Sequence, residues 1–205
     1  SIHPNEITPR LLQLFADNPR LRPHLHISLQ SGSDGVLQRM KRPYRGQRAW
    51  DALRAVAAVA PRFGIGADVI VGFPGETDED FEKTRNVCES GLIDYLHVFS
   101  YSERPDTAAV ERFGESVVPR PERSRRNRVL RMLSAKKRAA FERALLGTER
   151  KVLWEGTGSD GRAVGFTDNY ARARRGASGD VGGRGRESRP GRARGAHLVL
   201  PLPAD

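Results

Sequence analysis

The sequence predicts an α/β fold built on a parallel sheet. Three observations carry that reading. Short apolar runs alternate with amphipathic stretches across residues 1–118. The runs at 25–29, 67–71 and 95–99 are dominated by apolar and β-branched residues, as strands covered on both faces require. Each run ends in a loop rich in Gly, Ser, Pro or charge, and helical spacing fills the chain between runs.

The elements follow in order. Leu25-His26-Ile27-Ser28-Leu29 is the first strand, running into Gln30-Ser31-Gly32-Ser33-Asp34. Residues 46–63 read as a helix, with Trp50, Leu53, Val56, Ala57 and Ala60 at helical spacing and Gly64 and Gly66 ending it. Ala67–Val71 is the second strand, followed by Gly72-Phe73-Pro74-Gly75-Glu76. Thr77 then places a hydroxyl at a helix N-cap with Asp80 three residues on, a capping-box arrangement, and three acids in that turn suit the helix dipole. Phe81, Thr84, Val87 and Cys88 form that helix's inner stripe, and Gly91 closes it. Tyr95–Phe99 is the third strand. Residues 119–147 form one basic helical segment, with Val129, Met132, Leu133, Phe141 and Leu145 as a partial stripe and Arg123, Arg125, Arg126, Arg128, Arg131, Lys136, Lys137, Arg138 and Arg143 opposite. Residues 148–205 begin strand-like, at Lys151–Glu155 and again at Gly165–Tyr170, and then become Gly/Arg-rich. Residues 176–195 carry almost nothing apolar beyond Val181 and are expected to be disordered, leaving Leu198-Val199-Leu200 as the remaining strand candidate.

Composition bounds the function. The chain has 205 residues, enough for one medium domain or a domain plus a small module. No apolar run approaches the ~20 residues of a membrane span, and the N-terminus lacks a basic-then-apolar signal pattern, so a cytoplasmic protein is expected. The first residue is Ser1, which suggests a processed or truncated piece. A single cysteine, Cys88, excludes an intramolecular disulfide and a multi-Cys metal or cluster site held by this chain alone. Thirty-five Lys and Arg against 25 Asp and Glu give a net charge of +10, which points to a polyanion such as nucleic acid; an Arg-rich genome is the plainer explanation. No Ser-His-Asp set, paired carboxylate signature or P-loop is present, which counts against hydrolase and nucleotide-driven chemistry.

In β/α folds the chemistry sits on loops after strand C-termini. That rule selects Gln30–Asp34, Gly72–Glu76 and Ser100–Thr107, although the same residues would serve plain βα turns. His24 and His26 share a strand face but lack a third ligand, and His97 reads as packed, so no metal site is expected. Asp34 and Arg42 can form a surface ion pair of little worth.

These loops carry a resemblance. His24–Asp34, Met40-Lys41-Arg42, Asp68–Phe81 and Leu96–Ala108, with Ile2–Glu6 ahead of them, resemble the radical-SAM methylthiotransferases over about residues 1–170. Gln30-Ser31-Gly32-Ser33-Asp34 is similar to the tRNA-modifying branch. Leu96-His97-Val98-Phe99 with Gly165–Tyr170 is most similar to the enzymes acting on threonylcarbamoyladenosine. The resemblance implies the C-terminal half of a radical-SAM (β/α) barrel over residues 1–118. A basic helix at 119–147 would close or link it, and an incomplete, TRAM-like small β-barrel would follow at 148–205. It implies a parent enzyme that adds a methylthio group to carbon 2 of the modified adenine, using S-adenosylmethionine and two 4Fe-4S clusters, with tRNA as partner. The branch acting on isopentenyl-modified adenosine is the alternative.

The resemblance also assigns residues. Gln30, Ser31 and Ser33 would hydrogen-bond the amino-acid or ribose part of S-adenosylmethionine. Ile70, Gly72 and Phe73 would lie against its adenine, with backbone next to Gly72 pairing with the base edge. Glu76 would brace the loop or start the helix, and Asp68 would sit far off, near the barrel bottom. Phe166 and Tyr170 would stack on RNA bases while Arg104, Arg172 and Arg174 meet phosphates. The family's cluster-binding cysteines are absent, and Cys88 falls on a helix's inner stripe. The chain alone is therefore expected to be inactive, the missing N-terminal domain and first barrel strands being its required partner. An open sheet edge also predicts association or poor solubility. A basic RNA-binding module without chemistry is the competing reading.

Overall fold

The computed structural model describes residues 1–105, 107–175 and 196–199. The described chain divides into two units, Ser1–Ala139 and Ala140–Asp205, the boundary falling inside one long helix. The expectation for 176–195 lies outside the described residues.

The first unit begins with a short turn and helix α1 (Pro9–Asp17), capped by the Thr8 hydroxyl, which accepts from the Leu11 amide at 3.2 Å. Then come β1 (His24–Gln30), α2 (Asp34–Arg39), α3 (Gly46–Ala57), β2 (Gly64–Val71), α4 (Asp78–Glu89) and β3 (Tyr95–Ser100). A short helix, α5 (Ala108–Phe113), precedes the long α6 (Arg120–Ala144). The three strands are parallel in the order β1-β2-β3, which the sequence anticipated. Ile2 adds a parallel bridge to Ile27 on the outer side of β1.

Alternation sorts the two faces of this sheet. Ile27, Ala67 and Leu96 stand in one rung, and with Leu29, Ile65, Val69 and Val71 they meet Ala52, Leu53 and Val56 of α3 and Phe81, Val87 and Cys88 of α4. The predicted inner stripe of α4 is buried, and its capping box is formed: the Thr77 hydroxyl accepts from the Asp80 amide while the Asp80 carboxylate accepts from the Thr77 amide. His24, His26, Asp68 and His97 point to the opposite face, which the core does not occupy.

Two boundaries differ from expectation. Helix α3 stops at Ala57, and Gly64 and Gly66 lie inside β2 rather than ending a helix. Gly66 is required there by space. A Cβ would fall 2.4 Å from the Tyr95 ring and 2.5 Å from His26 Nδ1. The open edge of β3 is also managed: Ser134 of α6 takes both edge groups of Leu96, donating to its carbonyl at 3.0 Å and accepting from its amide at 2.8 Å. Asn127 donates to the Val98 carbonyl at 3.2 Å. The edge expected to stand unpaired is thus partly sealed by side chains from a helix.

In the second unit, β4 (Glu149–Thr157), β5 (Ala163–Thr167), β6 (Arg172–Arg175) and β7 (Ala196–Val199) form an antiparallel sheet in the order β6-β5-β4-β7. Residues 168–171 turn the chain, held by the Thr167 hydroxyl, which accepts from the Ala171 amide at 2.9 Å.

Candidate functional site

The loops after the three strands converge on α4 and α6. Gly32 lets the first loop lie against α4 backbone, since a Cβ there would meet the Lys83 carbonyl oxygen at 2.6 Å. Ser31 and Ser33 are buried and occupied internally. The Ser31 hydroxyl shares a 3.0 Å hydrogen bond with Thr84, and the Ser33 hydroxyl donates to Asp80 at 2.5 Å while capping α2. Both serines therefore help to shape the loop. Gln30 sits at the end of β1 with φ +64°, at a register shift against β2. Its carboxamide makes no hydrogen bond among the described residues. Burial would raise the Asp80 carboxyl, but hydrogen bonds from Ser33 and Thr77, with the charge of Arg39, hold it below its ordinary value.

The second loop is locked from below. Gly72 adopts φ +72°, and its amide donates to Glu76 Oε1 at 2.8 Å. The aliphatic part of Arg123 lies where a side chain at Gly72 would point. The Gly72 amide is thus held by Glu76, whereas the resemblance assigns the base edge to the backbone next to Gly72. Glu76 in turn is fully buried and receives Arg126 Nη1 at 2.6 Å. Burial pushes the Glu76 carboxyl up, against the pull of the Gly72 amide and Arg126. Bracing of the loop by Glu76 is what the sequence allowed for. Arg123 and Arg126, read as part of the basic face opposite the apolar stripe, instead point inward and are 6% and 3% exposed. Arg123 also donates to the Tyr101 carbonyl at 2.7 Å and to Glu103 at 2.8 Å. Ile70 is the register partner of Phe99, which is 53% exposed, and Phe73 packs edge-on against Tyr101 at 5.3 Å.

Two corrections concern ionic groups. Asp34 does not seek Arg42; its carboxylate accepts from the Gly46 amide at 2.6 Å, joining the loop to the start of α3. Asp68 is the fifth residue of β2, not its start, because the strand begins at Gly64. It accepts from His26 Nε2 at 2.8 Å and lies 3.6 Å from His97 Nδ1, so Asp68 joins His26 to His97 rather than to His24. The signal for this cluster was present only as alternation within β1 and mid-strand placement of Asp68 and His97.

Tyr44 was also missed; its buried hydroxyl donates to the Ser28 carbonyl at 2.6 Å, and burial lifts its pKa to about 12. A groove of about 650 Å³ runs between Ser100 and α6, lined by Asn127, Arg128, Arg131 and Met132. Arg104 is exposed on the segment before α5. In the second unit Phe166 and Tyr170 stack at 4.6 Å and 16°, and the Arg172 guanidinium lies 5.7 Å over Phe166. Arg174 lies 3.5 Å from Asp160.

A 4Fe-4S cluster needs thiolates in defined places. Cys88 is the chain's one cysteine, wholly buried on the inner face of α4, with its thiol pushed up to about 12 by burial. The residues of this chain do not fit such a cluster.

Comparisons with known proteins bear on this arrangement. Residues 1–88 match the family model described as the radical SAM superfamily. The threonylcarbamoyladenosine tRNA methylthiotransferase MtaB of Thermotoga maritima is 37% identical over 172 residues, covering 84% of this chain and 39% of that protein. The tRNA-2-methylthio-N(6)-dimethylallyladenosine synthase of Nocardia farcinica is 38% identical over 192 residues, covering 93% of this chain and 38% of that protein. The solved structure of coproporphyrinogen III oxidase (HemN) from Escherichia coli, described as a radical SAM enzyme, has a TM-score of 0.55 at 18% identity. It covers 84% of this chain and 44% of that one, and it supports the fold. The chain thus spans less than two fifths of the curated relatives it matches. From these matches and the parallel β/α arrangement, the chain belongs to the radical-SAM tRNA methylthiotransferase family.

Proposed function

We propose that this chain is the part of a tRNA methylthiotransferase that carries the C-terminal half of the barrel and a TRAM-like RNA-gripping module. The observation that carries the reading is the match to named tRNA methylthiotransferases along 84% and 93% of its length. The intact protein would add a methylthio group to carbon 2 of threonylcarbamoyl-modified adenosine beside the anticodon. S-adenosylmethionine and two 4Fe-4S clusters would supply the radical and the sulfur chemistry. The Thermotoga relative and the Leu96–Phe99 and Gly165–Tyr170 segments support that substrate. The second reading, a dimethylallyladenosine substrate, is favoured by the longer alignment to the Nocardia relative.

Within this proposal the chain has three tasks. Gln30 and the Ile70–Phe73 segment contribute to the cofactor's binding wall. The groove beside Arg128 and Arg131, with Arg104, receives RNA phosphates. The Phe166–Tyr170 pair with Arg172 offers a stacking surface, and Arg174 adds charge. The cluster ligands would come from the parent's N-terminal domain and first barrel strands, and a cytoplasmic location is part of the same reading.

Nucleoside mass spectrometry tests it. The chain, joined to a relative's cluster-bearing N-terminal segment, is expressed in cells lacking tRNA methylthiolation. The methylthio form of threonylcarbamoyladenosine is expected; the dimethylallyl form supports the second reading, and neither overturns both. The chain alone, reconstituted with iron, sulfide, reductant and S-adenosylmethionine, is expected to release no 5′-deoxyadenosine. Its release would overturn the requirement for the parent's cluster-bearing segment.

A further inference from the structure

The face of the parallel sheet opposite the core carries a cluster that the cofactor and RNA readings leave unused. His26 on β1, Asp68 on β2 and His97 on β3 come from three adjacent strands. The register places Asp68 beside His97, and His26 opposite Gly66, one residue pair away on the same face. One nitrogen from each histidine and one carboxylate oxygen lie within 4.8 Å of one another. Asp68 Oδ1 stands between them, 2.8 Å from His26 Nε2 and 3.6 Å from His97 Nδ1. Donors around a cation at ~2.0–2.2 Å are separated by roughly 3.0–3.5 Å, so these gaps bracket the needed spacing.

The surroundings suit metal ligation. A ligating histidine normally uses its second nitrogen in a hydrogen bond that fixes the ring. His26 Nδ1 has such a partner, the Tyr95 hydroxyl at 3.3 Å, which is itself 2.8 Å from His24 Nε2. Gly66 makes room for this packing, since a side chain there would collide with both His26 and Tyr95. Asp68 Oδ2 is held separately by the Ser1 hydroxyl at 3.2 Å. The Arg138 guanidinium is engaged over the Tyr95 ring at 4.6 Å. Access is open: the His97 side chain is 52% exposed, those of His26 and Asp68 13% and 20%. Beside His97 lies a cavity of about 450 Å³ whose lining includes Phe99, Arg131 and Arg138.

We propose that His26, Asp68 and His97 form a site for a divalent transition cation such as Zn²⁺, with an open coordination position facing the Arg131–Arg138 cavity. Two imidazoles and one carboxylate are the donor set such borderline cations take. The two arginines favour an anionic oxygen as the exogenous ligand. Bound metal would cross-link the three strands through their side chains.

The test uses the full chain, stripped with chelator, dialysed against Zn²⁺ alone and analysed for metal. About one ion per chain is expected, with a thermal midpoint that rises with free Zn²⁺. Co²⁺ is expected to give the visible absorption of a low-coordinate nitrogen–oxygen site. His97→Ala and Asp68→Asn should each weaken Zn²⁺ binding at least about tenfold, and His3→Ala should not. His97 is exposed, so its variant keeps the fold, as circular dichroism will verify. Negligible metal at saturation, or binding that survives both His97→Ala and Asp68→Asn, overturns the assignment.

Discussion

Glu76 is a buried carboxylate balanced chiefly by Arg126, and that pairing fixes the loop after β2. One of its oxygens, Oε2, has no hydrogen-bond partner among the described residues. Removing the guanidinium would leave the charge buried and uncompensated, so Arg126→Met should cost about 3–5 kcal/mol in denaturant unfolding. The double variant Glu76→Gln/Arg126→Met should recover a large share of that loss. Equal losses in the single and double variants would show that the pair is not coupled. Asp94 gives a pH test. It accepts from the Ile65 amide at 2.8 Å, yet burial lifts its pKa from 3.8 to about 6. The folded state therefore holds its proton more tightly than the unfolded state, and this group's contribution to stability falls as pH rises from about 4 to 6. Asp94→Asn mimics the protonated form and should gain on the wild type by about 1–2 kcal/mol between pH 4 and pH 7. Parallel stability profiles would refute this. The Thr77–Asp80 box was readable because both partners sit within one turn. Glu76 and Arg126 are 50 positions apart, and only the packed fold brings them together. The same is true of His26 and Asp68, 42 apart: a pair of histidines in one strand gives no hint of what the neighbouring strand places beside it.

At the scale of elements, α6 is the piece whose role differed most from its appearance. Its density of arginine reads as a solvated or phosphate-facing helix, yet Arg123, Arg126 and Ser134 are turned toward the sheet and its loops. Composition alone cannot separate these positions, because an arginine that caps a carbonyl and one that meets solvent have the same letter. Ser134 offers the sharpest test. Its hydroxyl serves both the amide and the carbonyl of Leu96 on the edge of β3, in a position 8% exposed. Ser134→Ala strands two backbone groups and should lower stability by about 1–3 kcal/mol. Amide exchange at Leu96 should accelerate in parallel. If Leu96 exchanges at the same rate in both proteins, Ser134 does not protect that edge. The strands themselves were legible from their apolar runs. The start of β2 was not, because Gly64 and Gly66 read as breakers, whereas in the sheet Gly66 is the gap into which His26 and Tyr95 lean.

For the whole molecule, the net charge of +10 is divided between groups spent inside the structure and groups left for a partner. Arg39, Arg123 and Arg126 are paired with carboxylates or carbonyls, so the inventory of cations overstates what the proposed RNA partner could reach. Among the described residues two surfaces stand out, each within its own unit: the groove beside Arg128 and Arg131, and the Phe166–Tyr170 stack with Arg172 over it. They act through different physics, and salt separates them. A phosphate contact releases counterions, so each one lost should reduce the slope of log affinity against log salt by about 0.7–0.9. A stacked base contributes ~1–3 kcal/mol with little change in that slope. In filter binding of unmodified tRNA across a salt series, Arg128→Ala/Arg131→Ala should therefore flatten the slope by about 1.4–1.8 and weaken binding most at low salt. Tyr170→Ala should weaken binding by a similar factor at every salt concentration, leaving the slope in place. Binding with the wild-type slope in the double arginine variant would remove the groove from the RNA path, and full affinity in Tyr170→Ala would remove the stack. Loss of neither would leave the chain's charge as a property of its composition alone, and the RNA-gripping reading would fall with it.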